Sequence, residues 1–94
     1  MYATVRRYKN AGALAGAMSS KSDEVKKLIT GVPGFVNYFA TREGDTVTSV
    51  SIYNDKAGCE ESTRLAGAWV RENVKAGVAA PDVSGGDVFI NFSK

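Results

Sequence analysis

The segment from Val32 to Asp55, V-P-G-F-V-N-Y-F-A-T-R-E-G-D-T-V-T-S-V-S-I-Y-N-D, constrains the fold more than any other part of the chain. Phe35 to Arg42 and Val47 to Tyr53 are dense in aromatic and β-branched residues, which suit a pleated, half-buried surface. Between them Glu43-Gly44-Asp45-Thr46 supplies a glycine where a tight turn needs positive φ. The segment therefore reads as a β-hairpin. A two-residue loop at Gly44-Asp45 pairs Phe39 with Val50 and Asn37 with Ile52 on one face, and Tyr38 with Ser51 and Val36 with Tyr53 on the other. A loop longer by one residue exchanges these faces.

Around the hairpin the pattern changes period. Tyr2 to Lys9 alternates as a strand does, with Tyr2, Thr4, Arg6 and Tyr8 on one side and Ala3, Val5 and Arg7 on the other. From Ala11 to Thr30, Leu14, Met18, Val25, Leu28 and Ile29 keep nearly one phase at the helical period, so one amphipathic helix is expected. It is expected to kink or restart at Ser20, where Ser20-x-x-Asp23 forms a cap. A second helix is expected from an Asn54 or Asp55 cap to about Lys75, with Leu65, Ala66, Trp69, Val70 and Val74 on its apolar side. Ala76 to Gly86 reads as a glycine- and proline-containing loop, and Asp87 to Ser93 as a last strand.

The order βαββαβ is the ferredoxin-like plan: an α+β domain spanning 1–94, with a four-stranded antiparallel sheet and two helices on one face. At 94 residues there is room for one two-layer core. The opposite sheet face is then bare. It is expected to carry Tyr2, Arg6, Tyr8, Tyr38, Ser49, Ser51 and Tyr53, which include all four tyrosines of the chain. An exposed aromatic patch of that size needs a cover, and a second copy of the chain is the expected one. Arg6 within such an interface needs a carbonyl, a tyrosine hydroxyl or a bound anion, because a lone buried charge is costly.

Composition excludes several classes of function. A net charge of +2 with scattered Lys and Arg does not make a nucleic-acid or membrane surface. No apolar run approaches the roughly 20 residues of a membrane span, and a strand follows Met1 directly without a leader pattern, so a cytoplasmic protein is expected. One cysteine, Cys59, cannot form an internal disulfide. Its place near a helix start favours a thiolate, which Glu60 and Glu61 oppose. The chain has no histidine, hence no usual neutral-pH general base and no usual haem or transition-metal ligand. No metal or cofactor is expected.

V-P-G-F-V-x-Y entering the hairpin, V-T-S-V-S-I-Y followed by N-D-K-A-G-x-E-E-S, and A-W-V-R-E-N in the last helix resemble small members of the antibiotic biosynthesis monooxygenase-like group of dimeric α/β-barrel proteins. The resemblance runs from Tyr2 to Phe92 and is strongest from Val32 to Asn73. It implies a homodimer whose two sheets meet as a barrel, with a pocket between each sheet and its helices. It also implies cofactor-independent oxygenation of an aromatic or quinone-like molecule, with Asn, Trp, Tyr and Arg side chains orienting a substrate whose deprotonated ring activates oxygen. The haem-degrading branch uses a helix histidine, which this chain lacks.

Residues of the required types are Asn37, expected on the helix-facing side of its strand, Trp69 and Asn73, four apart on the second helix, and Arg7 near a strand end. These are the pocket candidates. Each also has a plainer role: Trp69 as a core anchor, the asparagines as backbone partners. A non-catalytic small-molecule-binding or regulatory homodimer therefore stands beside the enzyme reading. RNA-recognition domains share the element order, but their aromatic signature belongs on the third strand, where this chain has V-T-S-V-S-I-Y.

Overall fold

The structure is a computed structural model that describes residues 1–75 and 77–93. Its elements are β1 (Tyr2–Tyr8), α1 (Gly12–Ser20), α2 (Ser22–Thr30), β2 (Phe35–Glu43), β3 (Thr46–Tyr53), α3 (Lys56–Asn73) and β4 (Asp82–Asp87). The strands form one antiparallel sheet in the order β2-β3-β1-β4. This is the expected ferredoxin-like α+β fold, with β1 and β3 central.

The hairpin has the two-residue loop, and Gly44 takes φ +57° in it. Phe39 pairs with Val50, Asn37 with Ile52 and Tyr38 with Ser51, as the sequence indicates. The register shifts between Phe35 and Asn37, so Phe35, not Val36, stands opposite Tyr53. The two rings meet edge to face, with centroids 5.7 Å apart, a geometry worth about 0.5–1.5 kcal/mol beyond burial.

The face assignment is reversed. Arg6, Tyr8, Ser49, Ser51 and Tyr53 are buried beneath the helices, and Tyr2 and Tyr38 are half-buried on that same side. The open face instead carries Ala3, Val5, Arg7, Asn37, Phe39, Val50 and Ile52. Alternation sorts side chains into two sets without saying which set the helices cover, and here both sets contain apolar area. The set with polar tips goes inside because the tips find partners there. Tyr53 Oη donates to the Ile29 carbonyl at 2.6 Å, and Arg6 donates to three hydroxyls.

The expected single first helix is two, divided at Lys21 with φ −120° and ψ 35°. No side-chain cap starts α2; the Ser20 hydroxyl bonds backwards, to the Ala17 carbonyl at 3.3 Å. α3 begins as anticipated, with the Asp55 carboxylate accepting from the Gly58 N–H at 2.9 Å. That bond satisfies one of the donors every helix start leaves free.

The last strand lies earlier than its composition suggests. β4 is D-V-S-G-G-D, paired along β1, while residues 88–93 extend past it without regular structure. A backbone ladder to β1, not β propensity, makes this strand. Ala76, the first residue of the expected loop, lies outside the described residues.

Two apolar clusters fill the space between sheet and helices. Tyr8, Ala11, Leu14, Val47, Trp69 and Val74 form one, and Ile29, Val32, Tyr53 and Cys59 the other. The Cys59 thiol is fully buried and donates toward the Tyr2 carbonyl at 3.2 Å. It is a core residue closed to solvent. No helix among the described residues is long and apolar enough to cross a membrane.

Candidate functional site

Antiparallel pairing sets Arg6 of β1 opposite Ser49 of β3, and Thr4 opposite Ser51. Arg6 is only 2% exposed. Its Nε donates to Ser49 Oγ at 3.2 Å, Nη2 to Ser51 Oγ at 3.0 Å, and Nη1 to Thr63 Oγ1 on α3 at 2.8 Å. Every one of these acceptors is a neutral hydroxyl. The ion pair found among the described residues joins Arg64 to Glu61 on the exposed side of α3.

Tyr8 and Tyr38 stand around this guanidinium. Burial pushes both phenol pKa values above the ordinary range, with the positive charge of Arg6 pulling the other way in each case. Both are thus neutral at physiological pH and can donate or accept hydrogen bonds. Trp69 closes the space from α3, with Nε1 directed at Glu24 Oε1 at 3.4 Å.

Between these groups lies a cavity of about 30 Å³. Arg6, Tyr8, Tyr38, Ser49 and Trp69 line it, and Leu14, Met18, Val25, Leu28 and Ile29 make up much of the remaining wall. Such a volume holds a water or two, or one small polar group. On the far side of Met18, Val25, Ile29 and Tyr38, a cleft of about 430 Å³ runs between α2 and β2. Phe35, Ser22, Lys26 and Thr30 complete it. The same four residues face both spaces, so cavity and cleft are neighbours across one layer of side chains.

Of the four pocket candidates, only Trp69 lines this cavity. Arg7 and Asn37 are exposed on the opposite sheet face, because the alternation places them with Val5 and Ile52. Asn37 Oδ1 accepts from the Tyr38 N–H at 2.9 Å, a local backbone role. Asn73 is held from two sides: its Nδ2 donates to the Trp69 carbonyl at 2.9 Å, and its Oδ1 accepts from Lys21 Nζ at 2.7 Å. It fastens the end of α3 to the junction of α1 and α2. Conversely Arg6, Tyr8, Tyr38 and Ser49, expected on a dimer face, line the cavity. The signal is in the sequence, since alternation groups them correctly and an arginine among them demands a partner.

No protein-family model and no curated protein matches the sequence. Solved structures do match in shape. SnoaB from Streptomyces nogalater, a cofactor-independent oxygenase, superposes in a mutant form with a TM-score of 0.69 at 15% identity, over 99% of this chain and 97% of that one. A candidate antibiotic biosynthesis monooxygenase from Bordetella bronchiseptica matches with a TM-score of 0.70 at 10% identity, over 95% of this chain and 97% of that one. The fold is that of the antibiotic biosynthesis monooxygenase-like proteins. A dimeric ferredoxin-like protein from an uncultured marine organism shares it over the whole of both chains, with a TM-score of 0.64 at 11% identity. At these identities the likeness establishes the fold, in agreement with the resemblance in the sequence.

Proposed function

We propose that the chain is a cofactor-independent monooxygenase-like protein acting on an aromatic or quinone-like small molecule. The observation that carries the reading is the position of Trp69, Tyr8 and Tyr38 around one cavity between sheet and helices, in a fold shared with a cofactor-independent oxygenase. Aromatic walls stack on a flat ring, and phenol tips orient its oxygens. In this reading the ring occupies the cleft between α2 and β2, and the shared side chains of Met18, Val25, Ile29 and Tyr38 shift to admit its reacting edge to the cavity. The substrate supplies the electrons to oxygen, and the protein orients it and excludes water.

A homodimer belongs to the same reading. The open sheet face carries a row of Phe39, Val50 and Val5 across three strands, with Phe39 49% exposed. A second copy of this face is the cover that hides such a row on both partners at once.

A non-catalytic binder is the second reading, favoured by the small cavity volume of about 30 Å³. Oxygen uptake with anthrone-type hydroquinones in metal-free buffer separates the two. The oxygenase reading expects saturable uptake that falls at least tenfold in Trp69→Phe. The binder expects ligand-dependent thermal stabilisation without uptake. No uptake across a broad hydroquinone panel would sink the oxygenase reading.

A further inference from the structure

Four side chains, Met18, Val25, Ile29 and Tyr38, line both the cavity and the cleft and so keep them apart. Two of the four are held fast. Ile29 is buried, and its carbonyl accepts from Tyr53 Oη at 2.6 Å; Tyr38 is paired within the sheet, opposite Ser51. The other two are half-buried and flank the break at Lys21, Met18 in the last turn of α1 and Val25 in the first turn of α2.

The helices on either side of that break are anchored only at their far ends. The buried residues of α1 are Leu14 and Ala15, and that of α2 is Ile29. Between these anchors Ser19 to Glu24 are all exposed. At Lys21 the N–H closes α1 on the Ala17 carbonyl at 3.0 Å, and the carbonyl accepts from the Val25 N–H at 3.1 Å, the start of α2. The two bonds lie on opposite sides of the Lys21 dihedrals, so the angle between the helices can change with both kept. Two polar contacts tie this elbow to α3. Lys21 Nζ donates to Asn73 Oδ1 at 2.7 Å in an exposed position, while Asn73 Nδ2 is held by the Trp69 carbonyl. Trp69 Nε1 donates to Glu24 Oε1 at 3.4 Å, long for a hydrogen bond. Segments with few buried side chains and exposed polar ties open locally before the core does.

We infer that the elbow from Met18 to Val25 is a gate between cleft and cavity. It swings outward from the anchors at Leu14–Ala15 and Ile29 when the Lys21–Asn73 and Glu24–Trp69 contacts break. Met18 and Val25 then withdraw, and the two spaces become one pocket. Asn73 and Glu24 are positioning residues of the latch. The identity of the admitted molecule rests on the proposed function; the gate serves an oxygenase and a binder alike.

Native-state amide hydrogen exchange reads the opening without a ligand. Stopped-flow binding of N-phenyl-1-naphthylamine, a neutral aromatic probe, reads passage through the gate by quenching of Trp69, the only tryptophan, which lines the cavity. In the unmodified chain, protection at Val25, Lys26 and Lys27 is expected to be at least about tenfold lower than at Cys59 to Leu65 of α3. Asn73→Ala and Glu24→Ala are each expected to lower it by a further factor of about three to ten, as loss of one hydrogen bond does, with α3 unchanged. Probe association is expected to quicken by about the same factor, since the open form becomes more populated. Glu24→Gln keeps an acceptor for Trp69 and is expected to match the unmodified chain. If Asn73→Ala does not fold, Lys21→Met removes the same bond from its other side.

Equal protection in the elbow and in α3 overturns the gate, because the elbow then opens only with the whole fold. Variants that lower protection equally in both places overturn the latch, since that marks a merely structural contact. Faster exchange without faster probe association, or no probe binding to any form, overturns the passage between the spaces. Oxygen uptake by a chain whose elbow opens only globally removes the gate and keeps the oxygenase reading; a gate that opens without uptake on any hydroquinone does the reverse.

Discussion

The Tyr53 hydroxyl donates a 2.6 Å hydrogen bond to the carbonyl of Ile29, joining the end of β3 to the last turn of α2. Carbonyls in a last helical turn lack partners within their helix, and Tyr53 is fully buried. Tyr53→Phe keeps the ring and leaves that carbonyl unpaired. A loss of about 1–3 kcal/mol is expected, read as a lower urea midpoint with an unchanged slope. No loss would mean that water reaches Ile29 in the variant.

Gly58 gives α3 its close approach to the sheet. A Cβ there would sit 3.0 Å from Cβ and Cδ2 of the Tyr53 side chain. In an open helix, Gly→Ala gains up to about 1 kcal/mol. Here overpacking against a ring that cannot move is expected to reverse the sign, with a net loss of about 1–2 kcal/mol. Thermal melts of Gly58→Ala beside Gly67→Ala make the comparison, because Gly67 meets only the flexible Arg71 side chain, at 3.6 Å.

The buried tyrosines set an alkaline limit. Burial raises the pKa of Tyr8, Tyr38 and Tyr53 above the ordinary 10.0, against an opposing pull from Arg6. A pKa raised in the folded state means that the folded protein holds the proton longer than the unfolded chain. The stability tied to it is complete below about pH 10 and is lost as pH rises through the folded values. Urea midpoints measured from pH 8 to 11.5 are expected to stay flat and then fall. Tyrosinate absorbance is expected to lag a model phenol until unfolding begins. Midpoints that rise above pH 10 would contradict this.

Assembly is tested on the open face. Phe39→Glu introduces charge beside Val50 without touching the helix-covered core. Sedimentation at micromolar concentration is expected to give twice the chain mass for the unmodified protein and a folded monomer for the variant. A monomer in both cases removes the dimer from the proposed function. Tyr38→Asp, aimed at the face that alternation alone suggests for the interface, is expected to lower stability instead, since Tyr38 packs against the buried Ile29–Tyr53 cluster.

Much of the fold is legible because the hairpin states its own register. Gly44 marks the loop, and a two-residue turn leaves one pairing. The bulge at Phe35 is not legible, since no residue type there differs from an ordinary strand. The side of the sheet is ambiguous for a chemical reason: Tyr8 and Tyr53 are amphipathic, and Val5, Val50 and Ile52 on the other face are no less apolar. Only the partners of the polar tips decide, and those partners, Ile29 O and Thr63 Oγ1, lie 24 and 57 residues away along the chain. The same reversal hides the site. Arg6 stands out in the sequence as needing a partner, but an assignment to the open face moves it away from Trp69, with which it shares a cavity.

All six residues of β4 are exposed, two of them glycines, and the strand is held by its ladder to β1. A ladder of peptide groups is nearly indifferent to what the peptides carry. At Asp82, Val83, Ser84, Gly86 and Asp87 this edge of the sheet can therefore accumulate substitutions at little structural cost, whereas at Gly85 a Cβ would stand 2.9 Å from the Tyr2 ring and 3.0 Å from the Ala3 carbonyl, so that one position stays glycine. Along this edge, away from Gly85, the backbone persists whatever letters it carries.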